Sequence, residues 1–254
     1  MTQSGHQRGM ILRMTDSQDI PWKRLFVEAA AIVASILLAF AIDAWWIDRQ
    51  IRYEEQEILQ GMEEEFVSVH AALARDMAAH LKNIQSLENL LLAFENGLPE
   101  NSGAVVDAVL LELLDPTTTD LGNGTLNALL SSGRAEILRS RKLRTLLAAW
   151  EGVIGEVWDD QANNARMVFD IHIPYFVSEN VAVGPLMHQW YSAWPVSLRS
   201  PSDDPEAFER LIQDPRFRVM VEIRYGYKRH LTGEFDAAIT AAEAILAEIE
   251  KSID

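Results

Sequence analysis

The sequence predicts an all-α protein in which one N-terminal transmembrane helix continues into a long amphipathic helix, packed in an elongated extracytoplasmic helical bundle. Three observations predict it. An apolar run from Leu25 to Ile47 is long enough to cross a bilayer. Beyond it, apolar residues recur at helical spacing and strand signals are nearly absent. No turn signal separates the run from the first amphipathic stretch. The expected organisation is a cytoplasmic tail (1–24), a transmembrane helix (25–47) and an acidic helical-bundle domain (48–254).

Within the run, Glu28 is the only charge before Asp43, and Leu25 to Ile47 makes 23 helical residues. That is roughly 35 Å, against a hydrocarbon core of about 30 Å. Trp22, Lys23 and Arg24 precede the run and Trp45 and Trp46 close it, about one bilayer thickness apart. Indole rings and cationic side chains favour the headgroup interface, so these five are the expected membrane-interface residues. Two other readings compete. Ala39-Phe40-Ala41 resembles a signal-peptide cleavage site, and the strictly uncharged stretch, Ala29 to Ile42, would suit a buried soluble helix. Against cleavage, the helical pattern runs through the supposed cut into IDAWWIDRQ.

Lys and Arg set the orientation. Arg8, Arg13, Lys23 and Arg24 lie in the tail, while Arg49 and Arg52 lie just beyond the helix. The positive-inside rule then places the N-terminus in the cytoplasm and the C-terminal domain outside, which in a Gram-negative bacterium means an inner-membrane helix and a periplasmic domain. Ala31, Ser35 and Ala39 recur at four-residue spacing, a small-residue stripe on which two membrane helices can approach closely. Alanine is also simply common in such helices.

The first amphipathic helix should cover Asp48 to Asn96, stopped by Gly97 and Pro99. Its apolar face is read as Ile51, Ile58, Met62, Phe66, Val69, Leu73, Met77, Leu81, Ile84, Leu87, Leu91 and Phe94, with Glu54, Glu55, Glu57 and Glu63 to Glu65 opposite. Joined to the membrane helix it would form a rod from 25 to 96, roughly 108 Å long, with Gly61 the expected kink. A helix over Ala104 to Leu114 should end at Asp115-Pro116. A short one capped by Thr125 should end at Gly133, and RAEIL should add a turn or two. The next begins near Arg141, with Leu143, Leu146, Leu147, Trp150, Ile154, Val157 and Trp158 inward, and breaks at Pro174. Asp204-Pro205 and Asp214-Pro215 read as N-caps followed by proline at the first helical position. The last helix, about 215 to 252, should bury Tyr227, Leu231, Phe235, Ala238, Ala242, Ile245 and Ile249.

Composition narrows the chemistry. A net charge of −16 does not suit a phosphate backbone, so no nucleic-acid partner is expected. The absence of cysteine removes disulfides, thiolate zinc sites and thiol nucleophiles. The six histidines form no His-Glu-x-x-His or paired Glu-x-x-His pattern, so no metal or other cofactor and no enzymatic activity are expected. Two basic clusters, Arg134 to Arg144 and Arg216 to Arg229, are expected to face the Glu-rich first helix; an anionic ligand is the alternative. The irregular stretch around Trp190, Tyr191 and Trp194 is the candidate partner-binding surface, the equal alternative being that it folds back to plug the end of the bundle.

Glu28 followed by Ile42-Asp43-Ala44-Trp45, together with TLNALLSSGRAEILRSRKLRTLLAAW from Thr125 to Trp150, resembles an uncharacterised bacterial family of membrane-anchored helical proteins. The resemblance covers the anchor and the middle of the chain, with a looser match in the last helix. It implies a bacterial, single-pass, helical protein of unknown function and transfers no catalytic residue. The expected function is a membrane-tethered, non-enzymatic interaction or scaffold protein of the cell envelope. Its partners would be the lipid bilayer and a second copy or another membrane protein. The alternative is a sensor-like module that binds a ligand and signals through a membrane partner.

Overall fold

A computed structural model describes residues 22–97, 103–116, 119, 121–181 and 205–253, and every regular element among them is helical. The chain divides into two units, residues 1–52 and 53–254. Helix α1 (Trp22–Asn96) is a single uninterrupted helix.

The described part of the first unit is the N-terminal portion of α1. Its apolar window has a mean hydropathy of 2.5 and none of it is buried. By length and composition it could cross a membrane.

In the second unit, α1 is joined by α2 (Gly103–Leu114), α3 (Gly124–Ser131), a 3₁₀ turn (Ala135–Ile137) and α4 (Arg141–Met167). A π-turn (Val168–His172), α5 (Ile173–Ser178), α6 (Pro205–Gln213) and α7 (Pro215–Ile253) follow. Each long helix buries residues at alternating spacings of four and three, the seam that lets helices pack along their length. On α1 the seam begins Glu55, Leu59, Met62, Phe66, Val69, Leu73; on α4 it is Leu143, Leu147, Trp150, Ile154, Val157, Gln161, Asn164. On α7 it runs from Phe217 through Val221, Arg224, Lys228, Leu231 and Phe235 to Ile249.

The apolar part of the seams forms two separate cores. The larger gathers Leu59 to Leu73 of α1, Leu143 to Val157 of α4 and Leu231 to Ile249 of α7 under Leu126 and Leu129 of α3, with Phe66 edge-on to Trp150 at 5.2 Å. The smaller gathers Leu87 and Leu90, the inner face of α2, Tyr175 and Phe176 of α5, Leu211 of α6, and Phe217 to Val221. Helix α1 passes from the larger core to the smaller, and the chain running from α4 into α5 does the same, whereas α7 passes the other way and so runs antiparallel to both.

Several local expectations are corrected. Ile51 and Leu81 are exposed, while Glu55 and His80 are buried on the seam in neighbouring positions. Helix α1 runs on through Gly61 as helix; a Cβ there would stand 3.2 Å from Thr125 Cγ2, so the glycine admits α3. Thr125 does not cap α3 with its side chain. Instead Glu65 of α1 accepts the Thr125 and Leu126 amides at 2.6 and 3.3 Å. A carboxylate there satisfies orphan N–H groups and suits the positive end of the helix. RAEIL supplies a single 3₁₀ turn, within the turn or two expected.

Pro174 does not break the chain of helices. The wider π-turn ahead of it relaxes the backbone where proline lacks an N–H, and α5 continues. Trp158 is exposed, and Tyr227 lies only half-buried because Arg224 and Lys228 take the seam positions. Other stops hold as read: Gly97 and Gly133 have φ of 89° and 68°, the left-handed conformation that ends a helix. Asp214 caps α7, its Oδ1 accepting the Arg216 amide at 2.8 Å ahead of which Pro215 opens the helix.

Candidate functional site

Of the residues singled out from sequence, the interface set is arranged at the two ends of the bare apolar stretch. Trp22, Lys23 and Arg24 are exposed at one end and Trp45 and Trp46 at the other. Arg24 pairs with Glu28 one turn on, at 3.1 Å, and Arg49 lies over the Trp45 ring at 5.7 Å. Ala31, Ser35 and Ala39 are exposed on one face, and the Ser35 hydroxyl donates to the Ala31 carbonyl at 2.8 Å. Trp190, Tyr191 and Trp194 lie outside the described residues.

The first basic cluster does meet the acidic face of α1. Arg134 pairs with Glu54, while Arg139 pairs with Glu55 at 3.4 Å and donates its amide to the same carboxylate at 2.6 Å. Lys142 and the Ser140 hydroxyl instead hold Glu248 of α7, at 3.3 and 2.7 Å. The second cluster divides. Arg218 reaches Glu95 of α1 at 3.6 Å, and Arg216 bridges Asp214 and Glu179 while lying over the Tyr175 ring. Hydrogen bonding to Arg216 holds the Asp214 carboxyl below its ordinary range.

Arg224 and Lys228 go elsewhere, and sequence reasoning missed where. Both are fully buried, in a polar belt between the two apolar cores. The belt takes His80 from α1, Glu112 from α2, Gln161 and Asn164 from α4, and His172 from the π-turn. Its physical origin is the C-terminus of α2, which ends inside the protein. The last carbonyls of a helix have no partner within it, and burying them unsatisfied costs about 1–3 kcal/mol each.

Side chains from three elements meet that need. Arg224 donates to the Glu112 and Asp115 carbonyls at 2.8 and 2.7 Å, Asn164 donates to the Asp115 carbonyl at 3.3 Å, and His172 Nδ1 lies 2.6 Å from the Leu113 carbonyl. A guanidinium at this end also complements the negative pole of α2. Its charge is matched by the Glu112 carboxylate, 3.2 Å from Arg224 and 2.9 Å from Lys228. Lys228 Nζ in turn donates to His80 Nδ1 at 3.1 Å.

Burial dominates the electrostatics. Desolvation lowers both Arg224 and Lys228, opposed by Glu112. Desolvation, reinforced by Lys228, takes His80 down to about 3, and desolvation takes His172 down to about 4. Both imidazoles are therefore neutral at physiological pH. His80 accepts at Nδ1 and so carries its proton on Nε2, an atom with no hydrogen-bond partner. Chemically the belt is a network of cations, one shared carboxylate and helix carbonyls bonded mainly to one another. Among the described residues no group of three His, Asp or Glu side chains converges to hold a metal ion.

The signal that could have located the belt is the spacing itself. Arg224 and Lys228 continue the four-three seam of α7 without a break, and Gln161 and Asn164 do so on α4. Comparison of the chain with protein-family models, curated proteins and solved structures finds no match.

Proposed function

We propose that the protein is a single-pass protein of the bacterial inner membrane whose helical domain acts, without enzymatic chemistry, as a scaffold or interaction module in the periplasm. The observation that carries the reading is the bare apolar stretch of α1, none of which is covered within the chain. Left in water, each fully exposed large apolar side chain forgoes roughly 1.5–3 kcal/mol that burial would supply. A bilayer supplies that burial, and Trp22 with Trp45 and Trp46 falls where its two interfaces would lie. The bacterial setting rests on the resemblance carried by Glu28, Ile42 to Trp45 and Thr125 to Trp150. The N-terminus is cytoplasmic on the distribution of Lys and Arg.

An interaction role is favoured because the buried polar belt of the domain is spent on the end of its own helix α2. The partner is a second copy or another membrane protein, met through the membrane helix or the Trp190 to Trp194 segment. Alkaline carbonate should leave the full chain in the membrane pellet; release into the supernatant would end the membrane reading. A periplasm-active reporter at the C-terminus should be active, and silence would reverse the orientation. Purification in mild detergent should then recover a partner in stoichiometric amount, whereas a lone monomer would remove the scaffold reading.

A further inference from the structure

His80 is held near two cations in a place water does not reach. It is fully buried, its ring stands edge-on to Phe235 at 5.0 Å, and its Nδ1 receives the Lys228 ammonium at 3.1 Å. The charged groups bearing on it are Lys228 and Arg224 from α7 and Asp115 beyond α2. Glu112 of α2 is already shared by both cations, and α4 faces the belt with the neutral side chains of Asn164 and Gln161. Across the end of α2, His172 is likewise buried, its Nδ1 on the Leu113 carbonyl and the Arg224 charge bearing on it.

We propose that the belt is an acid-sensitive joint of the bundle: a proton on His80 Nδ1 removes the acceptor of the Lys228 hydrogen bond and adds a third cation beside Arg224 and Lys228, loosening α2 from α7. The step needs no co-reactant. One proton is taken from solvent, one N–H···N hydrogen bond is lost, and the imidazolium is relieved only by reaching water. The depressed values of His80 and His172, about 3 and about 4, agree with this placement.

The direction follows from linkage. Above the ordinary histidine value of about 6.5 both native and unfolded imidazoles are neutral. Below it the unfolded chain takes up protons that the native bundle refuses, so stability falls as pH drops from about 6.5 toward the native values. The inference concerns the domain alone and does not depend on the membrane reading.

The test is urea unfolding of the full chain in mild-detergent micelles, followed by circular dichroism at pH 6 and pH 5, above the ordinary carboxylate range. Two refused protons should raise the unfolding constant roughly fiftyfold across that unit. His80→Asn retains an acceptor for Lys228 and does not titrate, and should reduce the rise to about sevenfold. Equal pH dependence in the two proteins would overturn the proposal. Should the variant not fold, wild-type protein labelled with ¹⁵N-histidine decides the matter. Two of the six imidazoles should stay neutral at pH 5 while the fold persists. Titration of all six near 6.5 with the circular dichroism unchanged would refute it.

Discussion

Glu112 illustrates how a single side chain organises its surroundings: one carboxylate, almost fully buried, neutralises two fully buried cations on another helix. Removing it leaves both charges without that counter-ion in a desolvated site. Glu112→Ala should therefore lower stability by about 3–5 kcal/mol in urea unfolding. Apolar replacement of the whole set, Glu112→Leu with Arg224→Met and Lys228→Met, should not restore it. Many buried ion pairs can be replaced without loss, but Arg224 also satisfies the Glu112 and Asp115 carbonyls, and methionine cannot. Full stability in the triple variant would show that the carbonyl bonds carry no weight. Gly61 offers a second case. Alanine there gains about 1 kcal/mol in helix propensity but meets Thr125 Cγ2 at 3.2 Å. Gly61→Ala should stabilise clearly more in a Thr125→Ser background than in the wild type, and equal gains would remove the close approach as the reason for the glycine.

At the scale of elements, the short helices owe their positions to the long ones. Helix α3 has no side-chain cap of its own, and Glu65 of α1 supplies it from across the bundle. Glu65→Ala should cost about 1–2 kcal/mol, with hydrogen exchange faster at Thr125 and Leu126 than elsewhere in the domain. Unchanged protection there would mean that packing of Leu126 and Leu129 alone fixes α3. The existence and approximate bounds of α1, α2, α4 and α7 were legible from periodicity and stop signals. The cap of α3 was not, because a cap donated by another helix leaves no mark near the segment it caps. Nor was the continuation past Pro174, since a π-turn depends on the tertiary setting that draws His172 inward.

Across the whole chain, the exposed apolar stretch and the buried polar belt break the usual arrangement in opposite senses. The first asks for an apolar surrounding beyond the chain. If its small-residue face mediates association, replacing Ala31, Ser35 and Ala39 with leucine should weaken crosslinking of the full chain in membranes, and undiminished crosslinking would exclude that face.

The sequence by itself determined the helical class, the bare apolar segment and the seams wherever they are apolar, because hydrophobic periodicity is a local property of the chain. It misread the seam where Glu55, His80, Arg224 and Lys228 occupy it, choosing Ile51, Leu81 or Tyr227 nearby. Only the tertiary structure decided those positions. A polar side chain enters a core when its hydrogen-bond and charge partners arrive from other helices, and Glu112, Asn164 and the end of α2 come from elsewhere in the chain.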